Sequence, residues 1–229
     1  QIKDFMIRSL EAGEWGPGDA IPSEGELAAR FNVSQGTVRK AIDEMAAENL
    51  LIRRQGKGTF VASHDDPRSF YRFLRLVPDD GNAAQAVSVP LSCSTKNADA
   101  EVAAALGLKL GDPVIYVERL LRFNGETVVF DQIHLVSDLF AGLTLESLSG
   151  GDRSLYSLFE NDYGVRMIHA QEHLRAVAAD PYRAGLLAVP SGSPLLLVER
   201  TAYTYGNKPV EWRRGLYCTN RHYYRNDLG

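Results

Sequence analysis

The chain has 229 residues, more than one average domain and about right for two small ones. With 45% hydrophobic and 24% charged residues the composition excludes a disordered chain, and no run of about 18 apolar residues offers a membrane span. A net charge of −4 argues against nucleic-acid binding by the whole surface and leaves any DNA contact to a local patch. No basic-apolar-cleavage pattern of a secretory leader stands in these residues, and Gln1 already falls inside a helical pattern, so native residues are expected to precede it. Cys93 and Cys218 lie in separate strand-like runs without metal spacing, which reads as reduced, packed thiols of a cytoplasmic protein with no metal or other cofactor.

Ile2, Phe5, Met6 and Leu10 recur at helical spacing, and the run Gly13 to Gly18, with Pro17 inside it, ends that helix. Ser23 with Glu26 three residues on is a capping box and starts a second helix reaching Phe31. Asn32-Val33 makes a tight turn, and Ser34 caps a third helix whose apolar positions are Val38, Ala41, Ile42 and Met45. Leu51–Arg54 and Thr59–Val61 read as short strands joined by Gln55-Gly56-Lys57-Gly58. Two short helices with a tight turn and then a small hairpin describe a winged helix-turn-helix. Shape alone also fits a helical packing unit with no ligand, and charge placement decides between them. Residues 30–61 hold six bases against three acids, whereas residues 1–29 hold two bases against six acids. Gln35 and Arg39 share one helical face that Val38 and Ile42 leave to solvent.

The run IPSEGELAARFNVSQGTVRKAIDEMAAENLLIRRQGKGTFV resembles the DNA-binding domain of the GntR family. The resemblance implies DNA contacts from Ser34, Gln35, Gly36, Thr37 and Arg39, with Gln55, Gly56, Lys57 and Gly58 reaching the minor groove. Two positions depart from the family pattern, Gly25 and Gln35, where members often carry arginine. A glutamine at 35 favours adenine over guanine.

His64 to Ser69 reads as a polar linker between a domain at 1–63 and another at 70–229. The second contains an internal duplication. Without a gap, Asp99 meets Asp180, Leu106 meets Leu187, Gly111 meets Gly192, Pro113 meets Pro194, Arg119 meets Arg200, Gly125 meets Gly206 and Val129 meets Val210. Each copy reads strand, short helix, strand, turn, strand, and predicts an α+β domain: a pseudo-twofold antiparallel sheet with helices on one side and a ligand cleft between the copies. Phe70, Tyr71 and Phe73 read as core or interface. His169 and His173 share a strand face but lack the further ligands a metal needs.

From Ala98 to Tyr223 the chain is similar to the HutC subfamily of the GntR regulators and its UTRA sensing domain, of chorismate-lyase-like fold. VERLLRFNGETVVFD, SLYSLFENDYG and PVEWRRGLY carry the resemblance. It implies an effector pocket built from Arg119, Asp131, Ser154, Arg166, Glu211 and Tyr217. Arginine and the helix start at Ser154 suit an anionic group, and the two acids accept donors. Leu121 stands where phosphosugar-sensing relatives often carry a second arginine, and the ending TNRHYY has Asn220 at a customarily acidic position. The expected function is a repressor acting as a homodimer on palindromic operator DNA, modulated by a small anionic metabolite. The competing readings are an enzyme with a lyase-like domain, against which no acid–base pair with catalytic spacing is evident, and a constitutive DNA binder with a degenerate sensor.

Overall fold

The computed structural model describes residues 1–66, 73–81, 86–150 and 153–226. The chain divides into two compact units, Gln1–Ser69 and Phe70–Gly229. Residues 67–69 of the expected linker lie outside the described residues, as do Phe70 and Tyr71.

In the first unit α1 (Ile2–Glu11), α2 (Glu24–Phe31) and α3 (Gln35–Ala47) precede the hairpin β1 (Leu51–Arg54) and β2 (Gly58–Val61). Local chemistry sets the boundaries. The Ser23 hydroxyl accepts the Glu26 N–H, and the Glu26 carboxylate accepts the Ser23 N–H at 2.8 Å. That reciprocal box satisfies two otherwise open donors. Asn32, left-handed at φ 53°, ends α2, and Ser34 caps α3 by accepting the Thr37 N–H. Met6, Leu10, Leu27, Val38, Ile42 and Met45 are buried, as are Leu51 and Val61 of the hairpin. Phe5, expected on the apolar stripe of α1, is 48% exposed and stacks on Phe31, ring centroids 6.1 Å apart. Ala20 bridges Phe60 and the Ile21 N–H donates to Thr59 O, so the residues ahead of α2 extend the hairpin.

The second unit holds a six-stranded antiparallel sheet. Its first copy is β4 (Ala86–Asn97), α4 (Ala100–Leu106), β5 (Pro113–Phe123) and β6 (Glu126–Val136). After a 3-10 turn (Ser137–Phe140), α5 (Leu145–Ser149) and α6 (Leu155–Tyr163), the second copy is β7 (His169–Ala178), α7 (Pro181–Leu187), β8 (Pro194–Thr204) and β9 (Lys208–Tyr217). The strand order β4-β5-β6-β9-β8-β7 is symmetric about the β6–β9 seam. Matching contacts recur: Asp99 and Asp180 cap α4 and α7, and the Ala98 and Ala179 N–H groups donate to Asp112 O and Ser193 O, each at 2.8 Å. A separate pair, β3 (Leu76–Pro78) and β10 (His222–Tyr224), brings the chain's last strand back against the start of the unit.

Helices lie on both faces of the sheet, not on one. Val102, Ala103 and Leu106 of α4 pack with Val114 and Trp212, whereas Tyr156 and Phe159 of α6 pack with Ile115, Val117, Ile133 and Leu135. The cause is that β5 and β6 bury residues of both parities, so each face needs a cover. The copies supply α4 and α7, and residues 137–163, which have no counterpart in the repeat, supply the other layer.

A second difference is smaller and matters more. The first copy turns on two residues, Asn124-Gly125, between paired Phe123 and Glu126; the second uses three, Tyr205 to Asn207, between Thr204 and Lys208. One added residue reverses which side chains point to a given face. A gapless repeat puts Trp212 in the place of Asp131, but the register sets Arg119 opposite Asp131 and Arg200 opposite Arg213. Glu211, Arg213, Gly215 and Tyr217 thereby share the face of Arg119 and Asp131.

Candidate functional site

Two places collect chemistry-bearing side chains, one in each unit. In the first unit Ser34, Gln35, Gly36, Thr37 and Arg39 are exposed along the start of α3, and Gln55 to Gly58 form the exposed hairpin tip. Lys57 closes that tip by donating its N–H to Arg54 O at 2.9 Å. Glu24, in the first turn of α2, ties this surface together. It accepts from Arg39 Nε at 2.9 Å and from Arg53 Nη1 at 3.1 Å, and Arg53 also reaches Asp43 at 2.7 Å. The Arg39 guanidinium in turn holds the Glu24 carboxyl below its ordinary range. Gly25 and Gln35, the two departures from the family pattern, are neighbours: a Cβ on Gly25 would stand 3.3 Å from Gln35 Nε2.

In the second unit a chain of ion pairs crosses the β6–β9 seam. Arg119 donates from Nε and Nη2 to Asp131 Oδ2, both at 2.9 Å. Arg213 Nη1 approaches the same oxygen at 3.2 Å, and its Nε donates to Glu211 Oε1 at 2.8 Å. The Tyr156 hydroxyl, from the first turn of α6, donates to Glu211 Oε1 at 3.0 Å. Arg200, paired across the strands with Arg213, donates to Glu172 Oε1 at 2.7 Å, and the Tyr224 hydroxyl also reaches Glu172. Asp131 and Glu211 are fully buried, while Arg119 and Arg213 are 7% and 4% exposed.

The structure thus brings Arg119, Asp131 and Glu211 into one cluster, the first linked to the last through Asp131 and Arg213. Tyr217 joins at the edge of the cluster. A Cβ on Gly215 would stand 2.4 Å from the Tyr217 ring and 2.8 Å from Asp131 Oδ1, so only glycine lets both approach the strand there. Ser154 is the N-cap of α6 and accepts the Ser157 N–H at 3.1 Å. Arg166 engages Glu160 at 3.4 Å and the Tyr205 hydroxyl at 3.1 Å. Arg213 is the member that sequence reasoning missed. The gapless repeat sets it against Gln132, facing away from Asp131; its spacing of two from Glu211 in a strand is the signal that places both on one face.

Burial pushes the Arg119 guanidinium below its ordinary value against the pull of Asp131. Burial opposes Arg213 as well, but two carboxylates, Glu211 and Asp131, lift it well above the ordinary value. Three buried atoms, Asp131 Oδ1, Glu211 Oε2 and Arg213 Nη2, have no hydrogen-bond partner among the described residues. Each such atom costs about 1–3 kcal/mol. Buried ion networks seldom stabilise a fold better than apolar packing of similar volume. Three unmatched atoms in one network are more than a structural brace requires.

A basic helix-turn-helix surface in one unit and a buried polar cluster in a duplicated sheet in the other define a ligand-responsive DNA-binding regulator. Residues 1–61 match the bacterial regulatory proteins of the gntR family, and residues 85–223 match the UTRA domain. The chain is 32% identical to the transcriptional regulator PhnF of Escherichia coli (strain K12), across 85% of this chain and 80% of that protein. It is 25% identical to the histidine utilization repressor of Pseudomonas putida, across 97% and 88%. The crystal structure of the ligand-binding domain of a GntR-family transcriptional regulator from Bordetella bronchiseptica covers 69% of this chain and 99% of its own, at 48% identity and TM-score 0.67. The chain belongs to the GntR family of transcription regulators, in the HutC group that carries a UTRA domain. No helix among the described residues is long and apolar enough to cross a membrane.

Proposed function

We propose that the chain is a cytoplasmic repressor that binds a palindromic operator as a homodimer and releases it when a small effector with an anionic group enters the UTRA unit. Ser34, Gln35, Gly36, Thr37 and Arg39 enter the major groove, and Gln55, Gly56, Lys57 and Gly58 follow the adjacent minor groove. Arg119, Asp131, Glu211 and Tyr217 hold the effector, with Ser154 and Arg166 on the α6 side. The observation that carries the effector half is the unmatched trio Asp131 Oδ1, Glu211 Oε2 and Arg213 Nη2. The exposed start of α3 supports the DNA half, because one such helix spans only a half-site and a dimer reads two, about 34–36 Å apart or a multiple of that.

Selection from random duplex DNA, followed by titration of the chain onto the recovered site, tests the reading. Two chains per site on an inverted repeat is the expected result. One chain saturating the site, or recovery of no inverted repeat, overturns it.

A further inference from the structure

We infer that the effector is a carboxylate that also carries hydrogen-bond donors (an ammonium, ring N–H or hydroxyl group), and that Arg213 is the residue that selects it. The inference rests on the effector reading above and narrows it. It starts from what each unmatched atom needs. Arg213 Nη2 is a donor in want of an acceptor, whereas Asp131 Oδ1 and Glu211 Oε2 are acceptors in want of donors. One ligand that answers all three presents an anionic oxygen to Arg213 and two N–H or O–H groups to the acids.

Charge points the same way. The cluster sets Arg119, Arg200 and Arg213 against Asp131, Glu172 and Glu211, and these balance. Leu121, buried on the face of Arg119, adds no further cation. A phosphate ester would bring up to two negative charges and a head made only of acceptors, set beside two carboxylate oxygens that already lack donors. Burying that excess is costly in a site with no surplus cation. A carboxylate with an ammonium adds no net charge, one with a neutral ring N–H or hydroxyl adds a single negative charge, and each supplies donors that the phosphate head lacks. The second arginine comes from β9, because the longer turn at Tyr205 to Asn207 rotates Arg213 onto the cluster face. Its other nitrogens stay committed to Glu211 and Asp131, which fixes Nη2 in place.

The test uses the full chain and a panel in two halves. One half holds amino acids, hydroxy acids and N-heterocyclic carboxylates, with N-methylated betaines as donor-free counterparts. The other holds hexose phosphates and inorganic phosphate. Thermal shift finds binders and calorimetry measures them. A binder is expected in the first half, its N-methylated counterpart weaker by at least tenfold. Arg213→Met and Glu211→Gln should each weaken the binder at least tenfold, with folding checked by circular dichroism. If Arg213→Met does not fold, Arg213→Lys keeps the charge but loses the second nitrogen, and should still weaken it. Binding of a phosphate ester that depends on Arg119 and not on Arg213 overturns the ligand class and leaves the effector site standing. A carboxylate binder indifferent to Arg119, Arg213 and Glu211 overturns both. No binder in the first half overturns the class.

Discussion

Glu24 is the clearest case of one side chain setting the behaviour of others. Its carboxylate holds Arg39 and Arg53 together, so two cations beside the DNA-binding helix are partly neutralised before any phosphate arrives. Glu24→Gln should therefore raise affinity for non-specific duplex and steepen its salt dependence by up to about two phosphates. Discrimination in favour of the selected site should fall, since Arg39 loses the contact that orients it. Anisotropy titrations between about 50 and 200 mM salt read both effects, and an unchanged salt slope rules the idea out. His134 gives a second prediction at this scale. Burial against Tyr116 and Trp212 outweighs the pull of Asp99 and lowers its pKa to about 4, so the ring is neutral in the fold at pH 7. Between about pH 6.5 and 4 the unfolded chain then binds the extra proton, and stability falls as pH falls. After discounting for solvent screening the loss is about 1–2 kcal/mol. His134→Phe should flatten denaturation midpoints across that window relative to the parent, and equal slopes would refute the assignment.

At the scale of elements the duplication provides its own control. Helix α4 ends on Gly107 at φ 65°, and its counterpart α7 ends on Ala188 at φ 53°. The left-handed conformation costs a residue with a Cβ about 1–2 kcal/mol. Ala188 is exposed and has no packing to lose, so Ala188→Gly should stabilise by up to about 1 kcal/mol and raise the Tm by about 2–4 °C. Gly107→Ala should shift it the other way; a lower Tm for Ala188→Gly contradicts the argument. The caps at Ser23 and Ser34 are legible in the sequence, because each depends on residues within four positions. Asp99 and Asp180 are matched there as repeat partners, and their capping, like the helix ends at Gly107 and Ala188, comes from the structure. The repeat was legible because its helices and strands keep the same spacing. What escaped depends on distant residues. The helix start at Ser154 is legible, but not which face of the sheet that helix covers. The gapless alignment hides the added turn residue, since Gly206 still matches Gly125 while the pairing beyond it has slipped. Arg213 was lost by that slip. Glu211 was recovered through its resemblance to family members, not through the repeat.

At the scale of the molecule the DNA-binding surface lies in one compact unit and the polar cluster in another, so control must pass through an equilibrium that both ligands bias. A ligand shifts such an equilibrium only by the difference between its affinities for the two states. If the effector bridges Arg213 and the two acids, it favours the arrangement that holds those three groups at bridging distance. Under the proposed dimer reading, operator DNA favours whichever arrangement sets the two recognition helices at the half-site spacing. Derepression requires these to differ, and linkage then makes the effect reciprocal. The factor by which effector weakens operator binding equals the factor by which operator weakens effector binding, typically 5–150-fold. Calorimetry of the panel's binder, with the chain free and then saturated with the selected duplex, measures the second factor, and anisotropy with and without the binder measures the first. Arg119→Ala separates the sites. The first unit buries its own core, so operator affinity without effector should stay within about twofold of the parent. Asp131 keeps Arg213 as a partner, so the cluster loses a contact but is not left with a lone buried charge. The response to effector should vanish in that variant. Equal effector affinity with and without operator in the parent chain would mean that the UTRA unit binds its ligand without governing DNA.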